Sequence, residues 1–216
     1  DQFFADQFPA HSVFVKDFYI SRTETTNEEY AEFVKDMKHR APPYWNGDKV
    51  RQGEEKLPVT SVSLADAQAY AVWFSKRKQR KCGIPNEEQW EYTARNGAKA
   101  TDYPWGNEWK EKYANINTTR LAEVGTSPDA TLEGDVRDML GNVSEWTSSK
   151  YVAYKGNKLV TQEAEEKGYT VYRGMAYITI ADFLKKPKIF STVRHALPGD
   201  QREGLIGFRI VCETDQ

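Results

Sequence analysis

Asp138-Met139-Leu140-Gly141-Asn142-Val143-Ser144-Glu145-Trp146 is the stretch around which the rest of the chain is organised. Asp138, Asn142 and Glu145 bring three oxygen-bearing side chains close together in sequence, and Gly141 among them frees the backbone to turn. Carboxylates, amides and turned-in carbonyls are the donors a hard cation such as calcium takes. The same residues also read as a plain turn leading into a strand. Gly-Asn then punctuates, Val143 and Trp146 go inward, and the polar groups stay in water. The residues alone leave both readings open.

On the N-terminal side, Ser12 to Ile20 alternates Val13, Val15 and Phe18 with polar neighbours, a strand pattern bent at Lys16-Asp17. Glu24-Thr25-Thr26-Asn27-Glu28-Glu29-Tyr30 follows; Thr26 with Glu29 is a capping box, and Tyr30, Phe33, Val34 and Met37 share one helical face over 27–37. Ala41-Pro42-Pro43-Tyr44-Trp45 stops this helix and opens a long loop, in which Trp45 lines a ligand groove or is buried. Leu57-Pro58-Val59-Thr60-Ser61-Val62-Ser63 leads into a second helix over 64–77, capped by Ser63 with Asp66, with Leu64, Ala67, Ala71 and Phe74 on one side. Ile84-Pro85-Asn86-Glu87-Glu88-Gln89-Trp90-Glu91-Tyr92 begins a short third helix, its acids at the positive end and Trp90 and Ala94 facing the core. Beyond Gly97 come Tyr103-Pro104-Trp105-Gly106, then turns and short strands, with a polar excursion from Tyr154 to Tyr169. Tyr172-Arg173-Gly174 and Gly207-Phe208-Arg209-Ile210-Val211 are strand-like. Helices first and strands later predict an α+β domain, with the strands near 13–20 and 207–212 side by side in a small antiparallel sheet.

Composition narrows the function classes. A chain of 216 residues with 39% hydrophobic and 29% charged residues folds, and has room for one large core. Thirty basic residues against 32 acidic ones, without a sustained run of one sign, argue against a nucleic-acid partner held on a basic face. The basic run from Lys76 to Lys81 reads as the solvated end of a helix. No apolar stretch is long enough to span a bilayer. The chain begins Asp1-Gln2-Phe3-Phe4, which is read as a piece of a longer protein with residues 1–11 as a lead-in and 12–216 as one domain. Cys82 and Cys212 form at most one bridge, and buried free thiols are the equal alternative.

Taken together and in order, these motifs resemble the formylglycine-generating-enzyme family, the sulfatase-modifying factors, from about residue 12 to 211. The resemblance implies a C-type-lectin-like fold with little regular secondary structure. It also implies one structural calcium, with carboxylates from Asp138 and Glu145 and backbone oxygens from Met139, Gly141 and Val143. A second family calcium site, begun by an Asn-Ile pair, is incomplete after Asn115-Ile116, where the expected acid and aromatic are missing. Oxidising members bind copper(I) through two cysteines after the Arg-Gly motif, soft thiolates being its natural ligands. Those positions are Thr179 and Leu184 here, and no cysteine lies between Cys82 and Cys212, so copper is not expected. Iron-dependent relatives rely on a histidine-rich partner domain; His11, His39 and His195 lie far apart in this chain.

The resulting expectation is a non-catalytic binding domain that holds a protein, peptide or small molecule. By resemblance it forms part of a larger bacterial protein such as a serine/threonine kinase, with an extracytoplasmic location as one option. Two alternatives are an enzyme with a different site on the same scaffold, and a structural domain of an envelope assembly. Trp45, Tyr177, Phe183, Phe190 and Arg194 are the candidate ligand contacts, since aromatic and arginine side chains anchor interfaces. The competing assignment has them closing the space of the family's substrate cleft.

Overall fold

The computed structural model describes residues 2–158, 163–178 and 191–214. After a 3-10 helix at Gln2–Gln7, the elements in chain order are β1 (Phe18–Ile20), α1 (Asn27–Met37), α2 (Leu64–Lys78), β2 (Cys82–Gly83) and α3 (Glu87–Ala94). They continue with β3 (Ser144–Lys150), the single turn α4 (Glu163–Glu166), β4 (Thr170–Arg173), β5 (Arg194–Leu197), β6 (Ile206–Gly207) and β7 (Val211–Glu213). Mixed helix and sheet with long irregular connections is the α+β architecture expected.

The helices start where their caps dictate. Thr26 Oγ1 accepts from the Glu29 amide at 3.2 Å, while the Thr26 amide donates to Glu29 Oε2 at 2.8 Å. Ser63 with Asp66, and Asn86 with Gln89, repeat the reciprocal arrangement at α2 and α3. A helix end left without its cap costs about 1 kcal/mol. The buried stripes of α1 and α2 then meet in one aromatic core. Tyr30, Phe33 and Tyr70 pack with ring centroids 5.2–5.8 Å apart, and Phe208 lies 5.3 Å from Tyr70. Met37, expected on that stripe, is 55% exposed, because the core ends one turn earlier.

Instead of one small sheet the described residues form two: β1-β7-β2, all antiparallel, and β5-β4-β3-β6, in which β3 pairs antiparallel with β4 and parallel with β6. The expected strand 207–212 is therefore split. Ile206–Gly207 serves β3, Val211–Glu213 serves β1 and β2, and Phe208 to Ile210 pass between the sheets. Gly207 makes the first half possible, since a Cβ there would stand 2.6 Å from the Val59 carbonyl oxygen. Of the strand expected over 13–20, Phe18–Ile20 alone pairs; residues 8–14 are exposed and have no partner strand.

Cys82 and Cys212 lie opposite each other in the β2–β7 register and are joined by a disulfide. No helix among the described residues is long and apolar enough to cross a membrane. Residues 2–7, read from the sequence as a lead-in, lie against the domain, with Ala5 buried.

Candidate functional site

The organising turn lies at the centre of the molecule. Asp138, Gly141 and Asn142 all adopt left-handed backbone angles, with φ of 57°, 96° and 61°. At Gly141 a Cβ would approach the Asn115 carbonyl oxygen to 2.8 Å, so only glycine fits. Asn142 locks the turn: its amide N–H donates to Asn115 O, its Oδ1 accepts from Asn115 Nδ2 and the Ala122 amide, and its Nδ2 donates to Glu24 Oε1. The plain-turn reading kept these polar groups in water; they are buried instead, and each is bonded to protein.

Glu145 and Arg209 form a fully buried, two-pronged ion pair. Arg209 Nε donates to Glu145 Oε2 at 2.7 Å and Nη2 donates to Oε1 at 2.7 Å, while Trp90 Nε1 donates to Oε2 at 2.9 Å. Arg209 Nη2 also reaches the carbonyls of Arg137 and Asp138. Burial alone would drag the guanidinium pKa down; the Glu145 carboxylate outweighs this and raises it.

Around this pair stand three further buried acids, Glu24, Asp129 and Asp138. Asp138 Oδ2 accepts from the Gly125 amide at 2.5 Å. Glu24 Oε2 and both oxygens of Asp129 have no hydrogen-bond partner of good geometry, although the backbone amides of Asp138 and Asp129 lie close enough to Asp129 to ease its charge. Burial, followed by the Asp138 charge, pushes the Asp129 carboxyl up to about 8, and the same two causes raise Glu24 well above the usual range. Four carboxylates thus share one guanidinium. Such an imbalance is relieved by protons or by a divalent cation.

The calcium set can be tested against this geometry. Among the described residues no three acidic, histidine or cysteine side chains converge as a ligand group, so the set depends on carbonyls as expected. Among the described residues, the surrounding loops send no hydrogen bond to the carbonyls of Met139, Gly141 or Val143, and those of Met139 and Val143 both lie near Gly174. Carbonyl oxygens of this kind are donors that a hard cation takes. Glu145, in contrast, already has both oxygens engaged by Arg209 and Trp90. Sequence reasoning missed Asp129, a lone acid after Pro128 with no motif to mark it, and used Glu24 and Arg209 only as family landmarks.

The expected ligand contacts do not gather on one surface. Trp45 is 5% exposed, donates its Nε1 hydrogen to Asn27 Oδ1 at 3.0 Å, and packs on Tyr30 and Tyr44. Arg194 is 4% exposed; its Nε and Nη2 donate to the two oxygens of Glu87, and Tyr151 and Tyr154 flank the guanidinium. Trp45 is spent on internal packing, while Arg194, held by Glu87, also reaches the Asp6 carbonyl of the N-terminal segment; Tyr177 is half-buried beside the exposed Ile178. Phe183 and Phe190, like Thr179 and Leu184, lie outside the described residues. An open cleft not foreseen, of about 750 Å³, lies behind the turn; its wall is mixed and more apolar than polar, with Trp109, Ile116 and Pro128 beside Asn115, Thr118 and Ser127.

Comparison with known proteins gives the family and the fold. The family model described as "Sulfatase-modifying factor enzyme 1-like domain" matches residues 1–214. The "Inactive C-alpha-formylglycine-generating enzyme 2" of Bos taurus is 27% identical over 255 aligned positions, covering 93% of this chain and 79% of that protein. "Serine/threonine-protein kinase pkn1" of Chlamydia pneumoniae is 27% identical over 201, covering 83% of this chain but only 31% of the kinase. Among solved structures, PvdO from Pseudomonas aeruginosa superposes with a TM-score of 0.75 at 25% identity, covering 97% of this chain and 86% of its own.

Proposed function

The chain belongs to the sulfatase-modifying-factor family, and from that premise we propose that it is a non-catalytic binding domain on the family scaffold. The observation that carries this reading is the fate of the cysteines. The chain has two, and they are joined to each other between β2 and β7. No free thiolate remains to hold copper(I), so the residues present do not fit that metal. The cleft behind the turn, a mostly apolar wall with a few amide and hydroxyl groups, supports binding as the remaining task. Likeness to a protein named inactive, and to part of a kinase, is in keeping with a docking or sensing module within a larger chain. A disulfide persists in oxidising compartments, which favours an extracytoplasmic site of action.

Calcium belongs to this reading as a structural ion. Asp138, with the carbonyls of Met139, Gly141 and Val143 and the charge of Glu145, would hold it, and its double charge would offset the acids that Arg209 leaves uncompensated. The activity test is mass spectrometry of a sulfatase-motif peptide incubated with copper-treated protein. The peptide is expected to keep its cysteine thiol. Appearance of the aldehyde product would overturn the non-catalytic reading.

A further inference from the structure

The N-terminal segment is held in a way that looks like recognition more than core packing. Asn157 Nδ2 donates to two backbone carbonyls of the segment, Ala5 O and Phe8 O, each at 2.7 Å. Arg194 Nη1 donates to Asp6 O at 3.3 Å, and the Thr192 hydroxyl donates to Gln7 Oε1. Ala5 is the buried side chain of the grip, while His11 places its ring edge-on to Tyr154 at 4.4 Å. Tyr151 Oη stands 3.5 Å from Asp6 Oδ2, so a phenol faces the acid. Peptide sites work in this manner: main-chain bonds supply affinity and a few pockets supply selectivity.

The attachment of the segment also matters. Residues 8–14 are exposed throughout and form no ladder, and they leave Phe8, Val13 and Phe14 in water. The segment is therefore fastened at its seat and hardly at all along its connection to β1. Among the described side chains, five hydrogen bonds and the buried Ala5 hold the segment, each a modest net gain set against the entropy of fixing its backbone.

We propose that Tyr151, Tyr154, Asn157, Thr192 and Arg194 form a peptide-binding seat, filled in cis by residues 5–8 and open in trans to a partner segment of the pattern Ala-Asp-Gln. The seat asks for a small residue where Ala5 lies, an acid opposite Tyr151, a side-chain amide for Thr192, and carbonyls three residues apart for Asn157. This deepens the binding-domain reading and rests on it. The chain's own segment acts as a competitor that any partner must displace.

The test uses the full chain and a fluorescent peptide of residues 1–11, DQFFADQFPAH. Ala5→Arg cannot seat its side chain in cis, so that variant is expected to bind the peptide at least tenfold more tightly than wild type. Adding Asn157→Ala should cost at least tenfold again. Equal binding by wild type and Ala5→Arg, or indifference to Asn157→Ala, overturns the proposal. In case Ala5→Arg misfolds, hydrogen exchange on wild type provides an independent readout. Millimolar unlabelled peptide should speed exchange at the amides of residues 5–8, and unchanged rates refute displacement. Neither failure touches the non-catalytic reading, which is decided by the aldehyde assay.

Discussion

His195 shows how a single residue responds to its surroundings. Its ring stacks on Tyr172 at 5.1 Å beside Arg173, and burial followed by the Arg173 charge pushes its pKa from 6.5 down to about 4. Below about pH 6.5 the unfolded chain takes up a proton that the folded ring refuses, so stability falls as pH drops from there towards 4 and is unaffected above. With the ring only half-buried, the loss is about 1–2 kcal/mol. Urea unfolding at pH 7.5 and pH 5 should show a smaller loss for His195→Gln than for wild type; equal losses would remove His195 from the account. Elsewhere at this scale, Glu145 and Arg209 are mutually dependent. Truncating either leaves a buried charge unpaired, at about 3–5 kcal/mol, so Glu145→Ala reports on folding before it reports on a metal.

Among the elements, the three-stranded sheet is the least self-sufficient. β1, β2 and β7 have three, two and three residues, too few for their ladder bonds to hold them alone. The disulfide joins two of these strands across 130 residues of sequence. A crosslink of that span contributes about 2–5 kcal/mol, chiefly by restricting the unfolded chain. The double variant Cys82→Ala, Cys212→Ala should therefore melt roughly 5–15 °C lower. A melting temperature unchanged by the double substitution, or by reductant, would show that the α1–α2 core fastens these strands unaided. The caps act at the same scale. Thr26→Ala should cost about 1 kcal/mol, measurable by denaturant unfolding, because both halves of its box are made.

For the molecule as a whole, the decisive quantity is the charge balance at its centre. Glu24, Asp129 and the stretch that carries both Asp138 and Glu145 bring their acids to Arg209 from three parts of the chain, and no local segment senses the excess. Calcium at a hundred times its Kd should stabilise the fold by about 2.7 kcal/mol, a rise of roughly 5–10 °C over the chelated protein. Asp138→Ala should erase the difference. Asp129→Asn should raise the chelated melting temperature by removing an acid that burial forces to stay protonated, and so shrink the calcium effect. Identical melting curves with calcium and with chelator would leave protonated acids as the resolution of the imbalance.

Features that depend on near neighbours were legible in the residue order alone. The Thr26, Ser63 and Asn86 caps and the apolar stripes placed α1, α2 and α3 almost to the residue, since a cap and a helical face are written within a few turns. The order of motifs was enough to identify the family, and Gly141-Asn142 marked the turn. Long-range decisions belonged to the tertiary structure. It split 207–212 between two sheets, drew Trp45 and Arg194 into internal bonds, joined Cys82 to Cys212, and seated the first residues against β5. It also gathered Glu24 and Asp129 around a turn more than 100 residues from the one and nine from the other. Burial and charge pairing depend on which distant groups meet, and local pattern carries no record of that meeting.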